Sequence, residues 1–127
     1  MKDQVTSIEQ SKRLIELGVP ADKASMVYRK RYIKNEYVLD VLSREMEVIA
    51  PAFTVADLLA VLPKKIITNG GKVHILHIEA CSSTSPCWCL YWGDEATQVG
   101  WQERISFLHL LEDATEWLLS NGYKLNL

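Results

Sequence analysis

The chain reads as a small α+β domain: an antiparallel sheet, made of a hairpin and a three-stranded meander, with about three helices packed on one face. Two observations predict it. Apolar residues recur at helical spacing in three separated stretches, Ile8 to Leu17, Val55 to Leu62 and Phe107 to Leu118. Between them lie short β-favouring runs bounded by Gly, Asn and Asp, joined closely enough for antiparallel pairing. At 127 residues the whole chain, 1–127, is one domain.

The first helix is announced by the capping-box spacing of Thr6 and Glu9, with Val5 stapling onto the first turn and Ile8, Leu14, Ile15 and Leu17 forming its stripe. Gly18 stops it. Pro20 and Asp22 suit the start of a short helical turn over Ala21 to Val27. Tyr37 to Leu42 and Glu45 to Ala50 are β-favouring around Ser43 and Arg44 and read as a hairpin, although Val38, Val41, Leu42 and Ile49 would also suit a helical face. Thr54 caps a helix whose apolar face is Val55, Leu58, Leu59 and Leu62, with Asp57 at its third position and Pro63 ending it.

Asn69-Gly70-Gly71 is a turn, and Val73 to Ala80 a strand in which Ile75 faces away from Leu76 and Ile78. A second strand covers Cys87 to Trp92. Gly93-Asp94 turns the chain into a third, Thr97 to Glu103, with Val99 and Trp101 on one face by alternation. Phe107, Leu110, Leu111, Ala114, Trp117 and Leu118 define the last helix, with His109, Asp113 and Glu116 opposite, and Asn121-Gly122 closes it.

Composition narrows the function classes. The chain is 48% hydrophobic and 24% charged, which suits a globular protein and neither disorder nor a disulfide-dense scaffold. Fourteen basic and sixteen acidic residues leave a net charge of −2, so binding to nucleic acid would need a local patch. No run approaches the ~18 apolar residues of a membrane span, and no apolar signal-like stretch opens the chain. Three cysteines leave at least one thiol unpaired, so a reducing, cytoplasmic setting is expected.

Pro51-Ala52-Phe53-Thr54, then Leu58, Leu59, Leu62 and Pro63, an aromatic-rich meander, and Trp117-Leu118-Leu119-Ser120-Asn121-Gly122-Tyr123 at the end form a layout. In this layout the chain resembles a set of short uncharacterised α+β proteins found in bacterial genomes and phages. The resemblance implies a similar small fold and a mobile-element origin, and it carries no activity. Cys81 to Trp92 lies outside the shared pattern.

That segment holds all three cysteines and two of the four tryptophans, with His74 and His77 just upstream. Zinc knuckles need C-x2 to 4-C pairs, whereas five residues separate Cys81 from Cys87 and one separates Cys87 from Cys89. Cys87 and Cys89 share a strand face that His77 could approach, with Cys81 or Asp94 completing a site. Free cysteine more often packs as a small hydrophobe, so the expectation is no metal and no cofactor, with Cys81, Cys87, Cys89 and His77 the residues that would hold an ion. A catalytic thiolate would need His77 or His74 as base, oriented by Asp94 or Glu79, and no catalytic signature surrounds any cysteine.

A second patch, Tyr28-Arg29-Lys30-Arg31-Tyr32-Ile33-Lys34, sets cations beside aromatics, the pattern of a single-strand contact. Tyr28, Arg29, Lys30, Arg31, Tyr32 and Lys34 are its candidate nucleic-acid residues. Glu36 and Asp40 blunt the field and no recognition motif accompanies it, so it reads first as a solvated connector before the first strand. Asp94-Glu95 and Glu112-Asp113 are adjacent carboxylates pointing apart, and Gly70-Gly71 lacks the lysine and helix of a phosphate loop. No small-molecule ligand is expected. What remains is association: Trp88, Tyr91, Trp92 and Trp101 concentrate aromatic area on the meander. If Trp88 and Trp92 pack with Leu90 under the last helix, Cys87, Cys89 and Tyr91 form the outward face. The reading is a non-enzymatic module that binds another protein or itself.

Overall fold

A computed structural model describes residues 4–30, 37–41, 48–81, 87–94 and 96–127. Three helices, α1 (Ile8–Leu17), α2 (Val55–Val61) and α3 (Phe107–Ser120), combine with seven described strands. The strands are β1 (Met26–Lys30), β2 (Tyr37–Val41), β3 (Val48–Ala52), β4 (Lys65–Ile67), β5 (Val73–Ala80), β6 (Trp88–Gly93) and β7 (Gln98–Arg104). They form two antiparallel sheets, ordered β2-β1-β3 and β4-β5-β6-β7. The fold is α+β, with two sheets in place of the single one expected.

The N-terminal region departs most from the sequence reading. Ser7, not Thr6, caps α1: its side chain accepts from Gln10 N at 3.2 Å while Gln10 Oε1 accepts from Ser7 N at 2.7 Å. Both residues can form a capping box, and the register moves by one because Thr6 is taken up elsewhere. Its buried hydroxyl accepts from Phe53 N at 3.0 Å and lies 2.6 Å from Ser11 Oγ, pinning the start of α1 to the end of β3. Only Ala21–Lys23 of the expected helical turn is helical, as 3₁₀, and Met26 onward is strand.

The expected hairpin is also corrected. Tyr37–Val41 and Val48–Ala52 are strands, but β1 lies between them and pairs with both. Pro51 can sit in β3 because β3 is an edge of that sheet, where a missing N–H costs no ladder bond. The turn expected at Ser43 and Arg44 lies outside the described residues.

Thr54 and Asp57 cap α2 as expected. Asp57 also accepts from Ser25 N at 2.8 Å and from the Ser25 hydroxyl, so one carboxylate ties α2 to the entry of β1. Burial pushes that carboxyl up, but the hydrogen bonds from Ser25 and Thr54 outweigh it and hold it below its usual range.

α1 touches β3 on one side and α3 on the other, and α3 lies against β6 and β7. Leu14, Phe53, Leu58, Leu90, Leu111 and Leu118 are among the residues of the single core that results. Exposed ion pairs join Arg13 of α1 and Arg104 of β7 to Glu116 and Asp113 of α3, and at that exposure they add little to stability.

Glu112, also on α3, is different. Its Oε1 is buried with no hydrogen-bond partner among the described residues, and burial, reinforced by Asp113, pushes its carboxyl up to about 7. An acid raised in the folded state stabilises least when ionised, so stability should fall as pH rises from the unfolded value near 4.3 to about 7, then level off. Glu112→Gln is expected to gain about 1–2 kcal/mol at pH 8, after allowance for solvent screening, and almost nothing at pH 4. Urea denaturation of both proteins at the two pH values checks this. An equal gain at both would mean that ionisation is not the cause.

Candidate functional site on the outer sheet face

Alternation along β5 and β6 sorts the meander into two faces. Leu76 and Ile78 pack on the core beside Leu90 and Trp92, Trp92 being fully buried and stacked on Trp117 at 5.6 Å between ring centres. Trp88, half exposed, meets Phe107 edge-on. These are the inward residues, as expected. Ile75, His77, Glu79 and Cys81 therefore point the other way, and the register sets His77 opposite Tyr91 and Glu79 opposite Cys89.

β7 does not keep simple alternation. Leu90 pairs with Gln102 and Trp92 with Val99, so Gly100 and Trp101 together face the single residue Tyr91. This is a β-bulge, and Gly100 adopts the left-handed backbone it needs, φ +70°. Val99 consequently packs on the core while Trp101 turns outward and stacks on Tyr91. The expectation that Val99 and Trp101 share a face is corrected.

The centre of the outer face is a three-ring stack. His77 lies 5.2 Å from Tyr91 and Trp101 lies 5.4 Å from its other side, both nearly parallel to it. Tyr91 is thereby only 4% exposed and Cys89 only 3%. Of the outward residues Cys87, Cys89 and Tyr91, then, two are covered by their neighbours. The accessible apolar surface belongs instead to Ile67, Val73, Ile75 and Trp101, which are 44–58% exposed. Lys65 and Ile67 share the outer side of β4, opposite Ile75 and Val73. At the far end of the face lie the thiols and Glu79.

Cys81 and Cys87 close the β5–β6 connection, with Cys81 N donating to Cys87 O at 2.9 Å. Cys81 Sγ, Cys87 Sγ and a carboxylate oxygen of Glu103 lie within 4.8 Å of one another. Cys87 Sγ donates to Glu103 Oε1 at 3.4 Å and Cys89 Sγ to Glu79 O at 3.5 Å, while Cys81 shares side-chain hydrogen bonds with both other thiols. The bond to Cys87 pushes the Cys81 thiol up, and burial, with Glu79 nearby, does the same for Cys89. Cys81 and Cys89 are thereby held protonated at neutral pH, the reverse of an activated nucleophile.

The candidate bases do not reach them. His74 is buried on the inner face with Nε2 3.0 Å from Thr68 Oγ1, and His77 belongs to the ring stack two rungs away. Asp94 is held in its turn by Ala96 N and Thr97 N, and Glu95 lies outside the described residues. Of the residues considered for a metal, Cys81 and Cys87 come together with Cys89 beside them, His77 stays apart, and Glu103, which the sequence reading missed, takes its place.

The basic patch is divided by its strand. β1 is central in its sheet and not a solvated connector, so Tyr28 and Arg29 point to opposite faces. The Tyr28 hydroxyl donates to Thr6 O at 2.8 Å, and Arg29 is 5% exposed. Arg31, Tyr32 and Lys34 lie outside the described residues, as does the side chain of Lys30. Among the described residues no helix is long and apolar enough to cross a membrane. Comparison with protein families, curated proteins and solved structures found no match to this chain.

Proposed function

We propose that this chain is a non-enzymatic module that self-associates by laying the outer face of β4–β7 on the same face of a second copy. The observation that carries the reading is the order of chemistry along that face. Ile67, Val73 and Ile75 lie with Lys65 at one end, the His77, Tyr91 and Trp101 stack is central, and Glu79 marks the other end. A two-fold axis crossing the strands at the stack reverses the face of the partner. It places Lys65 of one copy toward Glu79 of the other and the rings against each other. A contiguous apolar band rimmed by opposite charges is what an isologous interface needs, and thiols with no base in reach supply no rival nucleophile. A reducing, cytoplasmic setting suits three free thiols.

Sedimentation velocity over a range of concentrations tests the reading. The unaltered chain should dimerise, and Ile75→Glu, at a half-exposed site, should weaken the dimer more than 10-fold, about 1.4 kcal/mol. Glu79→Lys should weaken it as well, and Lys65→Glu added to Glu79→Lys should restore it. A chain monomeric at its highest soluble concentration, or a double variant no better than the single one, would overturn the proposal.

A further inference from the structure

We infer that Cys81, Cys87 and Glu103, with Cys89 beside them, form a binding site for a thiophilic divalent cation of the zinc class. The spacing of the cysteines speaks against a zinc knuckle because a knuckle gathers its sulfurs in one tight turn. A sheet gathers them differently. Cys81 and Cys87 face each other across the β5–β6 connection, Cys89 is two residues on along the same face of β6, and Glu103 is the β7 partner of Cys89. Three neighbouring strands thus deliver their donors to one side of the sheet.

The dimensions agree. Zn–S bonds of about 2.3 Å and Zn–O bonds of about 2.0–2.2 Å put tetrahedral ligand atoms about 3.5–3.8 Å apart. The three atoms already lie within 4.8 Å of one another, and the Cys87 to Glu103 distance is 3.4 Å. Only small side-chain rotations separate this cluster from a coordination shell. Cys89, two residues on from Cys87 and paired with Glu103, lies beside the cluster with its Sγ donating to Glu79 O at 3.5 Å. The chemistry is equally selective: two or three sulfurs with one carboxylate favour zinc or cadmium over magnesium or calcium, which take oxygen shells.

Thiol ligation displaces protons. Binding a cation through cysteine sulfur should release protons to the buffer. Affinity should therefore fall steeply as pH is lowered. The site lies at the Glu79 end of the face that the proposed dimer covers, so binding is also measured on the Ile75→Glu monomer, which separates a failure of the site from a failure of the dimer.

The test uses the full chain, reduced and kept under inert gas, titrated with zinc and with cadmium alone. Readouts are native mass spectrometry, the sulfur-to-cadmium charge-transfer absorbance and proton release. One cation per chain is expected, with the absorbance band and proton uptake on chelation. Cys87→Ser and Glu103→Gln, both at sites open enough to tolerate the change, should each lower affinity more than 10-fold. His77→Ala should leave it unchanged, and so should the Ile75→Glu monomer. No stoichiometric binding, no effect of Cys87→Ser, or an equal loss in His77→Ala would each overturn the assignment.

Discussion

Truncating Trp92 to alanine is expected to destabilise the domain by about 3–5 kcal/mol, a large share of the ~5–15 kcal/mol that holds a domain of this kind together. Trp92 is fully buried, so the change removes the whole ring from the core and leaves a cavity between β6 and α3. Its indole N–H donates to Pro63 O at 3.0 Å, and that carbonyl, at the exit of α2, would lose its partner. Trp117, stacked on Trp92 on one side and Tyr123 on the other, would lose half of its sandwich. Trp88 provides the control four residues away on the same face. It is half exposed and meets Phe107 only by its edge, so Trp88→Ala should cost about 1 kcal/mol. Urea midpoints that fall equally in the two variants would contradict the division of β6 into a buried and a marginal tryptophan.

How much of this was legible depends on whether pairing was local. α3 and the β5–β6–β7 meander follow from periodicity and turn residues, because each pairs with what precedes it or packs by its own stripe. β1 was hidden for two reasons. Its residues, Met-Val-Tyr-Arg-Lys, look like the opening of a basic connector, and its place between β2 and β3 makes one of its two pairings skip a strand. Adjacency in sequence suggested a hairpin that β1 in fact splits. β4 is three residues long and offered too little pattern to read, although the Asn69-Gly70-Gly71 turn after it was a signal that a partner for β5 preceded it.

The site was half legible, and a single residue explains the other half. Uninterrupted alternation from Val99 puts Trp101 and Glu103 on the core side of β7. The bulge at Gly100 moves both to the outer face, where Trp101 covers Tyr91 and Glu103 meets Cys87 and Cys89. A glycine inside a strand pattern was the available sign of that shift. Spacing rules written for knuckles argued against a metal at Cys81, Cys87 and Cys89, since they take no account of register across strands.

Two glycines of the meander should accordingly fail for different reasons and to different degrees. At Gly93, φ is +135° and a Cβ would overlap the carbonyl oxygen of Thr97, the acceptor of the Asp94 N–H at 3.0 Å. Both sides of that clash are backbone in the β6–β7 turn, so no side-chain rotation relieves it. Gly93→Ala should cost at least about 3 kcal/mol, because relief requires reopening the turn. At Gly100, φ is +70° and a Cβ would stand 2.7 Å from the Trp117 ring, itself clamped between Trp92 and Tyr123. Left-handed backbone at about 1 kcal/mol and overpacking at about 1–2 kcal/mol give about 2–3 kcal/mol. The second variant has a further consequence that the first lacks. Slipping the bulge would carry Trp101 away from Tyr91 and Glu103 away from the thiols, so Gly100→Ala should weaken cadmium binding even under conditions where the domain stays folded. A Gly100→Ala protein of reduced stability with unchanged cadmium affinity would separate the bulge from the alignment of Glu103. Equal denaturation midpoints for the two variants would show that the ring yields no more readily than the backbone.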